Sequence, residues 1–525
     1  MEFEHEMTYF RLLAREEASS FHARYEESIA DVEKNLGKEY PMIIDGKRVS
    51  SGKFFEDRSP IDTRIVVARF PLGSEEHVSQ AVDAAKRAFM HWSRMDYRDR
   101  VGILRKAADI MSSSKYDLAA LMTYENGKNR YEAMADVDEA IDFMRYYAYE
   151  MERNDGYVRV MKNAYPDERC YSMMKPYGVF AVIAPFNFPL AITAGMCSGA
   201  LITGNTVVLK PASDTPLTAL RFFEILEEAG LPDGVLNLLT GSGSVVGDAL
   251  VSSRDVDGIV FTGSKDVGLS IYAKANASRP RPVITEMGGK NPTIVTANAS
   301  ISKAVEGVAR AAFGYSGQKC SACSRVYVHS SIYEEFVSRL VEFTSTLKVG
   351  NPVKRDTFVG PLINKAAYDK YAMYSSIARK DGRILIGGRQ VTDGMFKYGY
   401  YVEPTIVDNL NSNSIILREE LFLPFLAVAS YDRLDDAIAM CNDSEYGLTA
   451  GIYSNDEDEV RYFLDRIEAG VVYVNRGRSA TTGAMVGSQP FVGWKMSGIS
   501  GKGTGSIYYL PLFMREQSQT ICSSL

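Results

Sequence analysis

Cysteine is sparse in this chain, with six in 525 residues at positions 170, 197, 320, 323, 441 and 522. Disulfide frameworks belong to small secreted domains, so this thin set excludes one and leaves any special cysteine to act as a thiol. Histidine is scarcer still, at five. None falls in the motifs below, which disfavours a Cys/His hydrolase whose nucleophile needs such a base nearby. No run approaches the roughly 18 consecutive apolar residues of a membrane-spanning helix, so no membrane partner is expected. A basic stripe is also missing: 59 basic against 66 acidic residues leave a net charge of −7, which argues against nucleic acid. The opening MEFEHEMTYFRLLAREEASSFH lacks the basic and uninterrupted apolar segments of a secretory signal and points to the cytoplasm. There is no internal repeat and no low-complexity segment.

What is present is the ordinary mixture of a large globular enzyme, 46% hydrophobic and 24% charged. At roughly 100 to 200 residues per domain the chain holds two to four compact units. Helical spacing marks residues 8 to 36 as an N-terminal extension. A helix begins at Ser74 with Glu75 and Glu76, burying Val78, Val82, Ala85, Phe89 and Trp92 on one face. Further helices are expected over about 98 to 126 and 131 to 152. The alternation in GYVRVMKNAY and CYSMMKPYG predicts a hairpin. From residue 178 strands and helices alternate: GVFAVIAPFNFP, a helix after Pro189, NTVVLKPAS, a helix from Thr215, GVLNLLTG, a helix near 244 to 252, then DGIVFTGS. Buried apolar strands alternating with helices predict a parallel, doubly wound α/β sheet suited to a nucleotide. A second α/β stretch starts near Asn291.

Two glycine-bearing loops compete for the phosphates. GSGSVVG, residues 241 to 247, does not match GxGxxG and is weak alone. FTGSKDVG, residues 261 to 268, follows an apolar strand and can open a helix whose N–H groups face a pyrophosphate, with Gly263 allowing close approach and Ser264 donating. The stretch GQKCSACSRVYV holds Cys320, TEMGGKNP holds Glu286, and APFNFP holds Asn187. Cys320 and Cys323 also form a CxxC, yet no second CxxC or histidine pair completes a zinc set, so no metal is expected.

Together with KPASDTP, EELFLPF and QPFVGWKMSG, these segments resemble, in order and from about residue 40 to 515, the signature motifs of the aldehyde dehydrogenase superfamily. The resemblance implies the α/β fold of that family: a Rossmann-like NAD(P) domain, an α/β catalytic domain and a β oligomerisation flap. The implied division is 1–153 and 177–288 for the cofactor domain, 154–176 and 498–525 for oligomerisation, and 289–497 for catalysis. The flap would include SIYYLPLFM and bury an apolar face in a homodimer or larger assembly.

The same resemblance implies that Cys320 attacks an aldehyde, that the Asn187 amide and the Cys320 N–H hold the oxyanion, and that Glu286 activates water against the thioester. The nucleophile works if its site favours the thiolate. Lys210 and Glu420 would contact the riboses of NAD or NADP, with Phe422 beside them. Ser213 stands where many members carry a 2′-phosphate-repelling Glu, so NADP is expected to be tolerated. Leu423 and Val492 depart from the family's glycines beside the nicotinamide and substrate tunnel.

Within the superfamily the closest resemblance is to the subfamily that oxidises L-glutamate 5-semialdehyde, formed from 1-pyrroline-5-carboxylate, in proline degradation. It rests on Ser321 after the nucleophile, Gly483 and Ala484 in TTGAMVGSQPF, and Glu139 in ADVDEAIDFMRYYA. There Ser321 and the 483–484 loop would hold the α-carboxylate and Glu139 the α-ammonium, while Phe188 and Phe491 enclose the methylenes. Such a polar pocket rejects plain aliphatic aldehydes, which leave its groups unpaired. The alternatives are a medium-chain or succinic semialdehyde as substrate, or a non-catalytic binding relative.

Overall fold

The computed structural model describes residues 3–6, 8–9, 18–477 and 485–522. A seven-stranded sheet runs in the order Val283–Glu286, Gly258–Thr262, Val179–Ile183, Thr206–Lys210, Leu236–Leu238, Met42–Ile44, Lys47–Val49. The first five strands pair in parallel and the last two add antiparallel. Successive side chains of a strand point to opposite faces, and both faces here are covered. Phe180, Val182, Val207 and Leu209 join a cluster with the helices Ala191–Ile202 and Pro216–Ala229. Val179, Ala181 and Val208 join the opposite one, with Val78, Val82 and Ala85 of the helix Glu75–Trp92. Two-sided burial is why these strands read as unbroken apolar runs.

A second seven-stranded sheet runs Arg383–Ile386, Thr405–Asp408, Phe425–Tyr431, Cys323–His329, Asn291–Val295, Thr449–Tyr453, Val471–Val474. Only its first pair is antiparallel. At the end of the first sheet's edge strand Glu286 bridges Gly498, and the Met287 N–H donates to the Ser497 carbonyl at 2.8 Å.

The N-terminal extension is the helix Ala18–Lys34. The expected helix over 98 to 126 is two, Tyr97–Ser113 and Lys115–Asn126. Ser114 ends the first, with its N–H bonded back to Ile110 and Met111, and precedes the second. Val158–Met161 and Glu168–Pro176 form the expected hairpin, and Met514–Cys522 pairs antiparallel with its second strand. SIYYLPLFM is divided between core and surface. Only its last residue starts that strand; Leu510–Phe513 is a short 3-10 turn, and Tyr509, Leu510 and Phe513 are fully buried in this chain's own core. Tyr509 stacks on Tyr147 and Phe513 packs tilted against Phe180, whereas Ile507 and Tyr508 of the same segment are exposed.

Candidate active site

The strand order of the first sheet reverses beside Val179–Ile183: the next strands in sequence lie on one side, then Gly258–Thr262 returns to the other. In open α/β sheets such a reversal leaves a crevice outside the carboxyl ends of the strands. A cleft of about 580 Å³ lies there, lined by Phe186 and Asn187 after one strand, Gly263 and Ser264 after the next, and Met287 and Gly288 after the third. Glu420 and Phe422 line it from the second sheet's side, and Cys320 lies at its end. A second, smaller cavity shares Cys320 and Thr262 with the cleft and is lined by Glu139, Phe143, Phe188, Glu286, Ser321 and Phe491. The structure thus brings eleven of the sequence-predicted residues to two cavities that meet at Cys320. Gly483 and Ala484 lie outside the described residues.

Cys320 follows a strained turn. Tyr315, Ser316 and Gly317 all have left-handed φ, of 48°, 55° and 69°. Each such non-glycine residue costs on the order of 1 kcal/mol, offset here because the Tyr315 hydroxyl donates to the Asn126 carbonyl and Ser316 Oγ to that of Gly360. Gly317 has no alternative: a Cβ there would lie 2.3 Å from the Leu423 carbonyl oxygen. Leu423 itself packs in the core with Leu421 and Phe425, and the left-handed residue of that motif is Phe422 (φ 58°), edge-on to Phe186. The departure from glycine at 423 is therefore absorbed by packing.

The resting site does not favour the thiolate. Burial pushes the Cys320 thiol up, and the Glu420 and Glu286 charges push it further. Glu286, last residue of its strand, is also held well above the usual carboxylate range by burial, offset by the Gly493 N–H, and its Oε2 has no partner. Asn187 is buried, with Nδ2 donating to the Gln318 carbonyl at 3.1 Å, so the side chain lies beside the turn that carries the thiol.

On the cleft side, Glu420 accepts from the Gly289 N–H at 3.0 Å and burial pushes it up to about 7. Lys210 is buried, lowered to about 8, and donates to the Pro211 carbonyl with no carboxylate within 4 Å among the described residues. Its stem lies 3.7 Å from where Gly247 of GSGSVVG would place a Cβ. An unpaired buried ammonium and a half-buried carboxylate at the same switch point are the groups that ribose hydroxyls satisfy, so the residues present fit a dinucleotide. The Gly263 N–H is already donated to the Glu286 carbonyl at 3.1 Å, leaving the start of the helix Lys265–Ala275 with Ser264 as its N-cap to face phosphate. Ser213 is exposed and donates at 3.4 Å to the Gly241 carbonyl, next to Ala212, which lines the cleft.

In the inner cavity, Glu139 is half-buried and pushed up to about 8, by burial first and then by Asp136. Ser321 is 7% exposed. Sequence reasoning missed the groups behind these walls: Glu132 paired with Lys319, Asp136 paired with Lys128, and Gln318. The spacing of Glu132, Asp136 and Glu139 on one helix was the available signal.

Residues 48–518 match the aldehyde dehydrogenase family model, and the chain belongs to that family. A 1-pyrroline-5-carboxylate dehydrogenase of Geobacillus sp. is 41% identical over 95% of this chain and 95% of its own. The 1-pyrroline-5-carboxylate dehydrogenase from Thermus solved with bound NAD superposes with a TM-score of 0.93 at 35% identity, covering 99% of each chain. Proline utilization A from Bdellovibrio bacteriovorus, 36% identical with a TM-score of 0.91, is matched over 95% of this chain but 52% of its own length, so this chain spans about half of that protein. The fold is that of aldehyde dehydrogenases.

Proposed function

We propose that this enzyme oxidises L-glutamate 5-semialdehyde, the open form of 1-pyrroline-5-carboxylate, to glutamate with NAD, in proline degradation. The names of the relatives support the substrate. The observation that carries it is Glu139, a carboxylate in the inner cavity with Cys320, Phe188 and Phe491. A half-buried carboxylate beside an aldehyde site is unfavourable unless a cationic group comes to meet it, and the α-ammonium of this substrate is one. By the family resemblance, Ser321 and the backbone N–H groups of Gly483 and Ala484 hold the α-carboxylate.

Bound NAD supplies the hydride acceptor. The Cys320 proton passes to Glu286 and on to solvent, and Sγ bonds to the aldehyde carbon. The Asn187 amide and the Cys320 N–H stabilise the alkoxide. As the alkoxide collapses, the C–H pair leaves as hydride and a thioester remains on Cys320. Glu286 then takes a proton from water, the hydroxide adds to the thioester carbon, and the C–S bond breaks to give glutamate and the thiol. The high resting position of Cys320 makes the first proton transfer necessary.

NADP is accepted alongside NAD, since Ser213 presents no charge to a 2′-phosphate; kinetics with both cofactors test this. The strands 158–161, 168–176 and 514–522 form the oligomerisation flap, supported by exposed Val160, Met161 and Ile521. Sedimentation of a charged variant such as Val160→Glu tests it. The division into 1–153, 154–176, 177–288, 289–497 and 498–525 belongs to the same reading. A cytoplasmic setting is supported by six free thiols.

The experiment is NADH formation with glutamate semialdehyde, hexanal and succinic semialdehyde, using wild type and Cys320→Ala. Glutamate semialdehyde should lead, and the variant should lose roughly 10³-fold or more. Preference for another aldehyde removes the roles of Glu139 and Ser321.

A further inference from the structure

Glu132, Asp136 and Glu139 recur at spacings of four and three on the helix Arg130–Arg153, so their carboxyls share one face. Two lysines from elsewhere in the chain meet it. Lys319 Nζ lies 2.6 Å from Glu132, and Lys128 Nζ lies 2.8 Å from Asp136 with both side chains wholly buried. A buried ion pair is weak evidence for stability, because dehydration of both charges cancels most of their attraction. The Lys128 pair has other contacts that give it work to do.

Lys128 Nζ stands 3.6 Å from the centroid of the Phe188 ring, which lines the inner cavity. The other Asp136 oxygen accepts the Ala191 N–H at 2.6 Å, the first residue of the helix that follows Phe188. Two residues before Lys128, Asn126 Nδ2 donates to the Phe186 carbonyl at 3.3 Å. The turn between them is held by Gly127 (φ 76°), where a Cβ would lie 2.7 Å from Pro361. The segment from Phe186 to Ala191, which includes Asn187, is therefore gripped at three points by residues that do not touch the cavity. A desolvated ammonium against a ring face is a strong contact of its kind.

We propose that Lys128 is a positioning residue: anchored by Asp136, its ammonium holds the Phe188 ring as the fixed wall along which the semialdehyde chain lies. The proposal rests on the substrate reading above. Its mechanism is geometric, since small displacements of a positioning wall are costly when the reacting carbon must reach Sγ.

The test is the double variant Lys128→Met/Asp136→Asn, which removes both charges together at nearly constant volume and leaves an amide oxygen to accept from Ala191. Its KM for glutamate semialdehyde should rise roughly tenfold while KM for NAD and the melting temperature stay near wild type. In a Phe188→Leu background the same double change should shift KM by less than about twofold, because the ring it acts through is gone. An unchanged KM, or an equal rise in both backgrounds, overturns the proposal. Fluorinated phenylalanines at position 188 provide a version that leaves the charges and the fold alone. Each added fluorine weakens the ring face, so KM should climb stepwise, and a flat series overturns the proposal too. A wild type that ignores glutamate semialdehyde defeats the substrate reading instead, and the same cycle is then run with the aldehyde it oxidises fastest.

Discussion

The outer cleft against Cys320 is walled largely by loops at strand ends, with Gly263, Ser264, Met287 and Gly288 following directly on two strands of the first sheet. The inner cavity is walled by side chains, Glu139, Phe143, Phe188, Glu286 and Phe491, drawn from a helix, a strand end and two distant loops. Backbone walls recognise what all substrates of a family share, because sheet geometry places them whatever the side chains are. Side-chain walls recognise what differs. Buried charge follows the same division: the helix Arg130–Arg153 and its two lysines lie behind the inner cavity, whereas the cleft is lined by Glu420, with the buried Lys210 ending a neighbouring strand. Under the proposed function, specificity for the aldehyde is therefore carried on the inner side, and specificity for the cofactor weakly on the outer.

The change that should divide the two sides most sharply is Glu286→Gln. It removes the base of the inner cavity, so steady-state turnover should fall roughly 10² to 10⁴-fold. Because hydride transfer precedes hydrolysis, a rapid-mixing experiment should still show one equivalent of NADH and a thioester detectable by mass spectrometry. Loss of that first equivalent would show that Glu286 is needed mainly to deprotonate Cys320.

Glu139→Gln should act on the aldehyde alone, raising its KM by roughly 10 to 100-fold with little change for NAD. The effect depends on pH. Glu139 is held up to about 8, facing Asp136, Asp142, Lys128 and Lys319 behind it and Glu286 and Cys320 across the cavity. Below that pH the carboxyl is neutral and pairs poorly with an ammonium; above it the carboxylate is complete. The wild-type KM for glutamate semialdehyde should therefore fall as pH rises through about 8, and the Gln variant should lose that dependence. Parallel profiles in the two proteins would place the titration elsewhere.

Glu420→Gln should give the smallest effect, on the other side: a KM for NAD raised by roughly tenfold or less, with aldehyde KM unchanged. An amide still accepts from the Gly289 N–H, so only the charged bond proposed to a ribose hydroxyl would be lost. If aldehyde KM moved as much as cofactor KM, the two cavities would not be separable in the way their walls suggest.

Much of this arrangement is legible in the order of residues along the chain. Unbroken apolar strands between helices mark the parallel sheet, and Ser74 marks a helix start. Cys320, Glu286 and Asn187 stand out because their flanking motifs occur in family order. Other features are hidden for particular reasons. The break at Ser114 is a single residue inside an otherwise helical pattern. SIYYLPLFM has the apolar content of an interface and of a core alike, and only the folded chain sorts its residues, packing Tyr509 on Tyr147 and leaving Tyr508 exposed.

The sequence by itself determined which thiol, carboxylate and amide are the candidates for the proposed chemistry, and the alternation of elements that makes a crevice suited to a dinucleotide. These depend on residue types in short motifs, where neighbours in the chain are neighbours in space. Only the tertiary structure decided the protonation of that chemistry and the shape of the substrate wall. Cys320 is pushed up by burial and by Glu286 and Glu420, and Phe188 is faced by Lys128, about sixty residues earlier in the chain. Burial and long-range charge are properties of the folded interior, and no local pattern encodes them.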